Sequence, residues 1–179
     1  MSERGTEGDM SEAKVLVVYF SRTGTTRLLA RAIAGMLNAD LEEICDCSDR
    51  VGPGGYLRSL LDALRRKPSE IVPAGLSVSA YDLVVIGSPV WAGSVSAPVR
   101  SYLIENRAQL PQVAFFCSFG GRGADEALRA MRALAHRPVV AECKVTAAAA
   151  HQGAYAAMAG FAQALKRHLA RMREIEWIG

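Results

Sequence analysis

The sequence predicts one α/β domain built as an open, doubly wound parallel sheet. Short apolar runs of strand length recur five times along the 179-residue chain, and a segment with helical spacing follows each. The runs are continuous rather than alternating, which indicates strands buried on both faces. This repeated β-α order is typical of a parallel sheet with helices on both faces, joined by right-handed crossovers.

The composition favours a single globular domain of the cytoplasm. Half of the residues are hydrophobic and 22% are charged, which provides a core and excludes a disordered chain. Apolar runs stay below the roughly 18 residues of a membrane span, and the N-terminus lacks the apolar stretch of a secretory signal. The net charge of +3 is mild and the basic residues are dispersed, so we expect no nucleic-acid partner.

The elements follow in a regular order after a polar start. Residues 1–12 are polar and aperiodic and are expected to form a disordered tail, with the domain spanning residues 13–179. The predicted strands cover residues 15–20, 40–45, 82–87, 113–117 and 139–146. The predicted helices cover residues 26–37, 97–107, a segment marked by Leu128, Met131 and Leu134, and about 154–173.

Two segments need a separate description. The last helix carries an apolar stripe made of Tyr155, Met158, Phe161, Leu165 and Leu169. An insert at about 50–70 interrupts the β-α order, with glycines and Pro53 followed by a short amphipathic helix over residues 56–66.

The most informative segment follows the first strand. Ligands of open parallel sheets bind beyond the carboxyl ends of the strands. There the chain places Ser21-Arg22-Thr23-Gly24-Thr25-Thr26, which we call the hydroxyl loop, between a strand and a helix N-terminus. Hydroxyls, backbone N–H groups and the helix dipole attract an anion, and Gly24 allows close approach. Capping of the helix by these hydroxyls is the ordinary alternative, but the length of the run favours a phosphate monoester.

Two further loops follow the third and fourth strands. The tryptophan loop, Ser88-Pro89-Val90-Trp91-Ala92-Gly93, offers an aromatic ring that either stacks on a planar ligand or folds back onto the domain edge. The glycine loop, Ser118-Phe119-Gly120-Gly121-Arg122-Gly123, leaves backbone groups accessible, although by itself it is most simply a flexible loop. Together the three loops fit a phosphorylated, flat heterocycle.

These segments carry a family resemblance. The chain resembles the flavodoxin family in the hydroxyl loop, in Tyr81–Gly93 and in the loop after Phe115-Phe116-Cys117, over nearly everything beyond residue 13. The hydroxyl loop is similar to the family's (Ser/Thr)-x-Thr-Gly-x-Thr phosphate loop. The resemblance implies a five-stranded sheet of order 2-1-3-4-5 and FMN as cofactor. The mild positive charge and the insert at about 50–70 set this chain apart from the acidic, shorter flavodoxins, and point to a less characterised bacterial or archaeal branch.

The resemblance also implies which residues hold the cofactor. It implies that the hydroxyl loop binds the phosphate and that the isoalloxazine lies between the tryptophan and glycine loops. The residues so assigned are Ser21, Arg22, Thr23, Gly24, Thr25, Thr26, Ser88, Pro89, Val90, Trp91, Ala92, Gly93, Ser118, Phe119, Gly120, Gly121 and Gly123. We expect no catalytic side chain and no metal, because Cys45 and Cys47 lack a second ligand pair.

Other phosphate-binding classes lack their motifs here. The Walker loop is absent, and Gly-x-Gly-x-x-Gly does not follow the first strand. The Cys-x5-Arg of small tyrosine phosphatases and the acidic residues of response-regulator receivers are also missing from the required places.

Two redox functions remain open at this point. The first is an electron carrier, which we prefer because no nicotinamide site is evident in the sequence. The second is an FMN-dependent NAD(P)H:acceptor oxidoreductase of the quinone-reducing type. A third interpretation, an anion-binding module without flavin, is disfavoured by the intact loops. The expected partner is a redox protein or a small electron acceptor, and the insert could shape a substrate pocket or a homodimer contact.

Overall fold

The centre of the molecule is a parallel sheet whose three inner strands are buried on both faces, whereas the two outer strands, which the sequence also predicts to be buried, are partly exposed. The structure, a computed structural model, describes residues 13–46, 70–72 and 74–178. The expected N-terminal tail, Cys47 and the amphipathic helix over residues 56–66 lie outside the described residues.

The strand order agrees with the order that the resemblance implies. The parallel strands run β2-β1-β3-β5-β6 across the sheet, and the short β4 pairs antiparallel with the end of β3. Without β4, this is the expected order 2-1-3-4-5. The strands are β1 (Val15–Tyr19), β2 (Asp40–Glu43), β3 (Leu83–Trp91), β4 (Ser94–Val95), β5 (Gln112–Phe119) and β6 (Val139–Thr146).

Helices cover both faces of this sheet. Buried side chains of α1 and α5 join one core cluster, and those of α2 and α3 join the other. The helices are α1 (Thr25–Leu37), α2 (Ala97–Asn106), α3 (Ala124–Ala135), α4 (Ala147–His151) and α5 (Tyr155–Ile178), and a 3₁₀ turn, Val78–Ala80, precedes β3. Among the described residues, none of the helices has the length and apolar character needed to cross a membrane.

The continuous apolar run of β1 has a direct structural reason. Val15, Val17 and Tyr19 point into one core cluster, and the alternate residues Leu16 and Val18 point into the other. Both faces therefore exclude water, so neither set of alternating positions tolerates a polar side chain. In the strand order, the end of β1 lies between the ends of β2 and β3.

The third strand is longer than the sequence predicts. The strand predicted over residues 82–87 runs to Trp91, because the chain turns back there and pairs Val90 with Val95 and Trp91 with Ser94. The turn residues Ala92 and Gly93 have φ of 49° and 73°, the left-handed conformation that tight hairpins use. The first four residues of the tryptophan loop, from Ser88 to Trp91, are therefore strand.

The start of the last helix also differs from the prediction. Met158, Phe161, Leu165 and Leu169 are buried as expected, but Tyr155 is 71% exposed and does not belong to the buried stripe. The separate α4 precedes it, so Tyr155 is the first residue of α5. Its ring lies against Gly153, where an added Cβ would come within 2.7 Å of the ring.

The tight contact at Gly87 leads to a stability prediction. An added Cβ at Gly87 would lie 2.1 Å from the ring of Phe116 on the neighbouring strand. We expect Gly87→Ala to lower the free energy of unfolding by about 1–3 kcal/mol through overpacking. Urea denaturation measures this change.

The matched control for this prediction is Gly35→Ala. Gly35 lies within α1 with open space around it, so alanine there should raise the free energy of unfolding by about 0.5–1 kcal/mol. Equal effects of the two substitutions would contradict the packing described for Gly87.

Candidate functional site

The hydroxyl loop leads from β1 into α1 without capping the helix. The N-cap is Gly24, with φ of 91°, which has no side chain to form a cap hydrogen bond. The first turn of α1 also holds no acidic residue. By contrast, Thr146 caps α4 by accepting a hydrogen bond from the N–H of Ala149. The alternative in which the hydroxyls serve as caps therefore does not hold, and the N-terminus of α1 keeps its affinity for an anion.

Ser21, which precedes the N-terminus of α1, also has a polar group without a partner. The residue is only 8% exposed, and its Oγ is buried without a hydrogen-bond partner. A buried hydroxyl without a partner costs free energy. In the hydroxyl loop this hydroxyl is available to form a hydrogen bond with a ligand at the N-terminus of α1.

Hydrogen bonds join the hydroxyl loop to two other elements at the same sheet edge. The Oγ1 of Thr26 lies 2.8 Å from the Oγ of Ser118, and both residues are buried. The Oγ1 of Thr25 lies 3.4 Å from the Nε2 of His151 at the end of α4. The hydroxyl of Ser118, which the resemblance assigns to the cofactor, is therefore shared with Thr26.

The tryptophan and glycine loops touch through their backbones. A Cβ added at Gly123, where φ is 88°, would lie 2.3 Å from the Cα of Gly93. At Gly120 and Gly121 an added Cβ would meet nothing within 4 Å. The glycines thus have two roles: Gly123 permits the contact between the loops, and the other two leave the backbone open.

Within the tryptophan loop, two predicted site residues make contacts with other residues of the protein. Trp91 is half-buried and packs edge-to-face on Phe20, with ring centroids 5.8 Å apart and an interplanar angle of 87°. The Oγ of Ser88 accepts a hydrogen bond from the N–H of Ser96 at 3.1 Å and donates one to the carbonyl of Pro89 at 2.8 Å. Ser88 therefore stabilises the hairpin, and Trp91 rests on the domain edge beside the hydroxyl loop.

The remaining assigned residues differ in their burial. Pro89 is buried within β3, and Val90, Phe119 and Arg22 are half-buried. Thr23 and Ala92 are exposed, each at the tip of its loop. The structure thus brings all three loops to the edge formed by the carboxyl ends of β1, β3 and β5.

The electrostatic surroundings favour an anion. The three loops contain two arginines, Arg22 and Arg122, and no carboxylate. The carboxylate of Glu43 on β2 accepts hydrogen bonds from Arg27, at 2.6 Å and 3.2 Å, and from the hydroxyl of Tyr19 at 3.0 Å. Burial, and then the bond to Glu43, raise the pKa of Tyr19, so it remains a neutral donor.

One of the two carboxylates in the first turn of α3, that of Asp125, is paired as well. Asp125 accepts a hydrogen bond from Lys144 at 2.8 Å, and this bond holds the pKa of Asp125 below its usual value. The carboxylates of Glu43 and Asp125 are thus both balanced by cations. The uncapped helix, the buried hydroxyl and the open glycines together fit a phosphate monoester attached to a flat ring.

Comparison with known families identifies the chain. The family model described as NADPH-dependent FMN reductase matches residues 13–152. This chain belongs to the NADPH-dependent FMN reductase family. Family membership and fold confirm two expectations from the sequence, namely the flavodoxin-like fold and FMN as the flavin.

Solved structures with the same fold include a flavoprotein, a flavodoxin and an oxidoreductase. A flavoprotein from Lactobacillus acidophilus NCFM, solved in complex with FMN, shares 24% identity with a TM-score of 0.66, and the match covers 74% of this chain and 93% of that one. A flavodoxin, WrbA-like protein from Agrobacterium tumefaciens shares 17% identity with a TM-score of 0.58, and the match covers 88% of this chain and 99% of that one.

A third structure matches over only part of its length. Rubredoxin oxygen:oxidoreductase from Desulfovibrio gigas shares 19% identity with a TM-score of 0.54, and the match covers 88% of this chain and 36% of that one. At these identities the likenesses show the fold. No curated protein matches the chain in sequence.

His151, which the structure places within 3.4 Å of Thr25 in the hydroxyl loop, was assigned no role by the sequence reasoning. It follows the last strand at the carboxyl edge, in the same position within its β-α unit as the loops that were assigned. That position was the one available signal, because its partner Thr25 lies 126 residues away along the chain.

The contact between Gly93 and Gly123 leads to the prediction for this site. We expect Gly123→Ala to destabilise the protein by at least about 2 kcal/mol, because alanine adds a left-handed backbone cost to a clash with backbone atoms. Thermal unfolding measures the loss. Gly120→Ala, in open space on the same loop, is the control and should leave stability nearly unchanged; a similar loss in both variants would contradict the proposed contact.

Proposed function

We propose that this chain is an oxidoreductase that holds FMN non-covalently at the carboxyl ends of β1, β3 and β5 and receives electrons from NADPH. The observation that carries the proposal is the N-terminus of α1, which lacks a side-chain cap and lies beside the buried, unpartnered hydroxyl of Ser21. The hydroxyl loop binds the phosphate. The tryptophan and glycine loops hold the isoalloxazine through Trp91 and through backbone groups of residues 91–93 and 118–123.

The side chains of the three loops bind and orient rather than transfer protons. When bound, FMN supplies the electron chemistry of such a site. The absence of carboxylates from the three loops fits this division, since the protein has only to hold the ring and limit its contact with water.

Family membership favours the reductase over the electron carrier. The matching family model is described by a reaction that uses NADPH. The net charge of +3 also argues against an acidic surface of the kind that flavodoxins use on their partners. The acceptor is a small molecule or a redox protein. The carrier remains the second candidate, because no nicotinamide site is evident in the sequence.

Anaerobic mixing with NADPH tests the proposed function. The FMN-loaded protein should lose the visible absorbance of oxidised flavin within the time of manual mixing, while free FMN at the same concentration changes slowly. A protein that dithionite bleaches and air restores, but that NADPH leaves oxidised, would be a carrier and would contradict the proposal.

Ser21→Ala tests the phosphate site within the same framework. No hydrogen bond is lost in the ligand-free protein, because the Ser21 hydroxyl has no partner, so stability should be unchanged or slightly higher. The affinity for FMN should fall about tenfold, the order of one hydrogen bond to a charged group, while riboflavin binding stays the same. Fluorescence titration with both flavins gives the two values.

Ser79→Ala is the control for this variant. Ser79 lies on the 3₁₀ turn before β3, at the opposite edge of the sheet, so the substitution should change neither flavin affinity. A Ser21→Ala protein that binds FMN as tightly as the native chain would rule out a role for this hydroxyl.

A further inference from the structure

His151 lies beside the hydroxyl loop but has no role in the site described so far. It is the last residue of α4, the short helix that follows β6 at the carboxyl edge of the sheet. Its Nε2 lies 3.4 Å from the Oγ1 of Thr25. The cap that Thr146 provides on the N–H of Ala149, at 3.1 Å, holds the start of the same helix.

Thr25 occupies a special place in the hydroxyl loop. It is the first residue of α1, so its N–H belongs to the first turn, where the helix itself provides no acceptor. Its side chain is buried, and its Oγ1 lies 3.5 Å from the Oγ1 of Thr23. A hydroxyl in this position has one proton to donate, and its neighbours decide the direction in which that proton points.

We propose that His151 is a positioning residue that makes this site select a phosphorylated flavin over its unphosphorylated form. The ring Nε2–H donates to the Oγ1 of Thr25, and the Thr25 hydroxyl is then free to donate its own proton to a phosphate oxygen. This inference rests on the proposed function, because it assigns a further residue to the same phosphate site.

The arrangement fits this role better than a purely structural one. His151 is exposed, and its bond to Thr25 is long, so the contact adds little to folding stability. The carboxylates of Glu43 and Asp125 are each paired with a cation. Their negative charge therefore does not cancel the attraction that an additional hydrogen-bond donor at the hydroxyl loop exerts on a phosphate.

Flavin affinities of His151 variants test the inference. We expect His151→Ala to weaken FMN binding about tenfold, because the Thr25 hydroxyl is no longer directed to the phosphate and its hydrogen bond to a charged group is lost, with riboflavin affinity and melting temperature unchanged. His151→Gln keeps an N–H donor and should restore most of the FMN affinity. Gln152→Ala, which changes the next residue along the chain, is the matched control and should change neither affinity.

The outcomes separate the two proposals. Equal losses for FMN and riboflavin, or no loss in either, would overturn the role of His151 while leaving the proposed function intact. Failure of the glutamine variant to recover FMN affinity would overturn the hydrogen-bonded arrangement. A native protein that binds no FMN would overturn the proposed function itself, and with it the inference.

Discussion

The buried hydrogen bond between Thr26 and Ser118 is the constraint on which the site depends. It fixes the first turn of α1 against the end of β5, at 2.8 Å between the two hydroxyl oxygens. Because both residues are buried, losing either partner would leave an unsatisfied polar group. With this contact in place, the N–H groups of α1 face the edge where the tryptophan and glycine loops also end. The anion site is therefore a consequence of how α1 packs on the sheet.

The second requirement is that the other loops reach the same edge. The hairpin after β3 and the glycine loop meet at Gly93 and Gly123, and the absence of a side chain at Gly123 allows that approach. Trp91 in turn packs on Phe20, which follows β1 directly. Each loop is thus held by contacts to another loop or to the sheet rather than by its own sequence, which suits a site that holds a rigid ring.

The sequence predicted the parts of the fold that depend on local pattern. The strand over residues 139–146 was predicted with the correct bounds, and the start of α1 was displaced by one residue, because a β-branched run of strand length and an amphipathic helix are local patterns. The extension of β3 was missed, since periodicity does not indicate the left-handed conformation of Ala92, which is uncommon for alanine. The sequence also did not predict the hydrogen bond between Ser88 and Ser96 or the contact between His151 and Thr25. Periodicity carries no information on side-chain contacts between different elements.

The most direct test of the central claim is to find where FMN binds. Amide chemical shifts of the isotope-labelled protein, recorded during titration with FMN, report the site residue by residue. The account predicts the largest changes in residues 21–26, with further changes in residues 91–93 and 118–123. Changes centred on the 3₁₀ turn Val78–Ala80 at the opposite edge, or no changes in the hydroxyl loop, would contradict it.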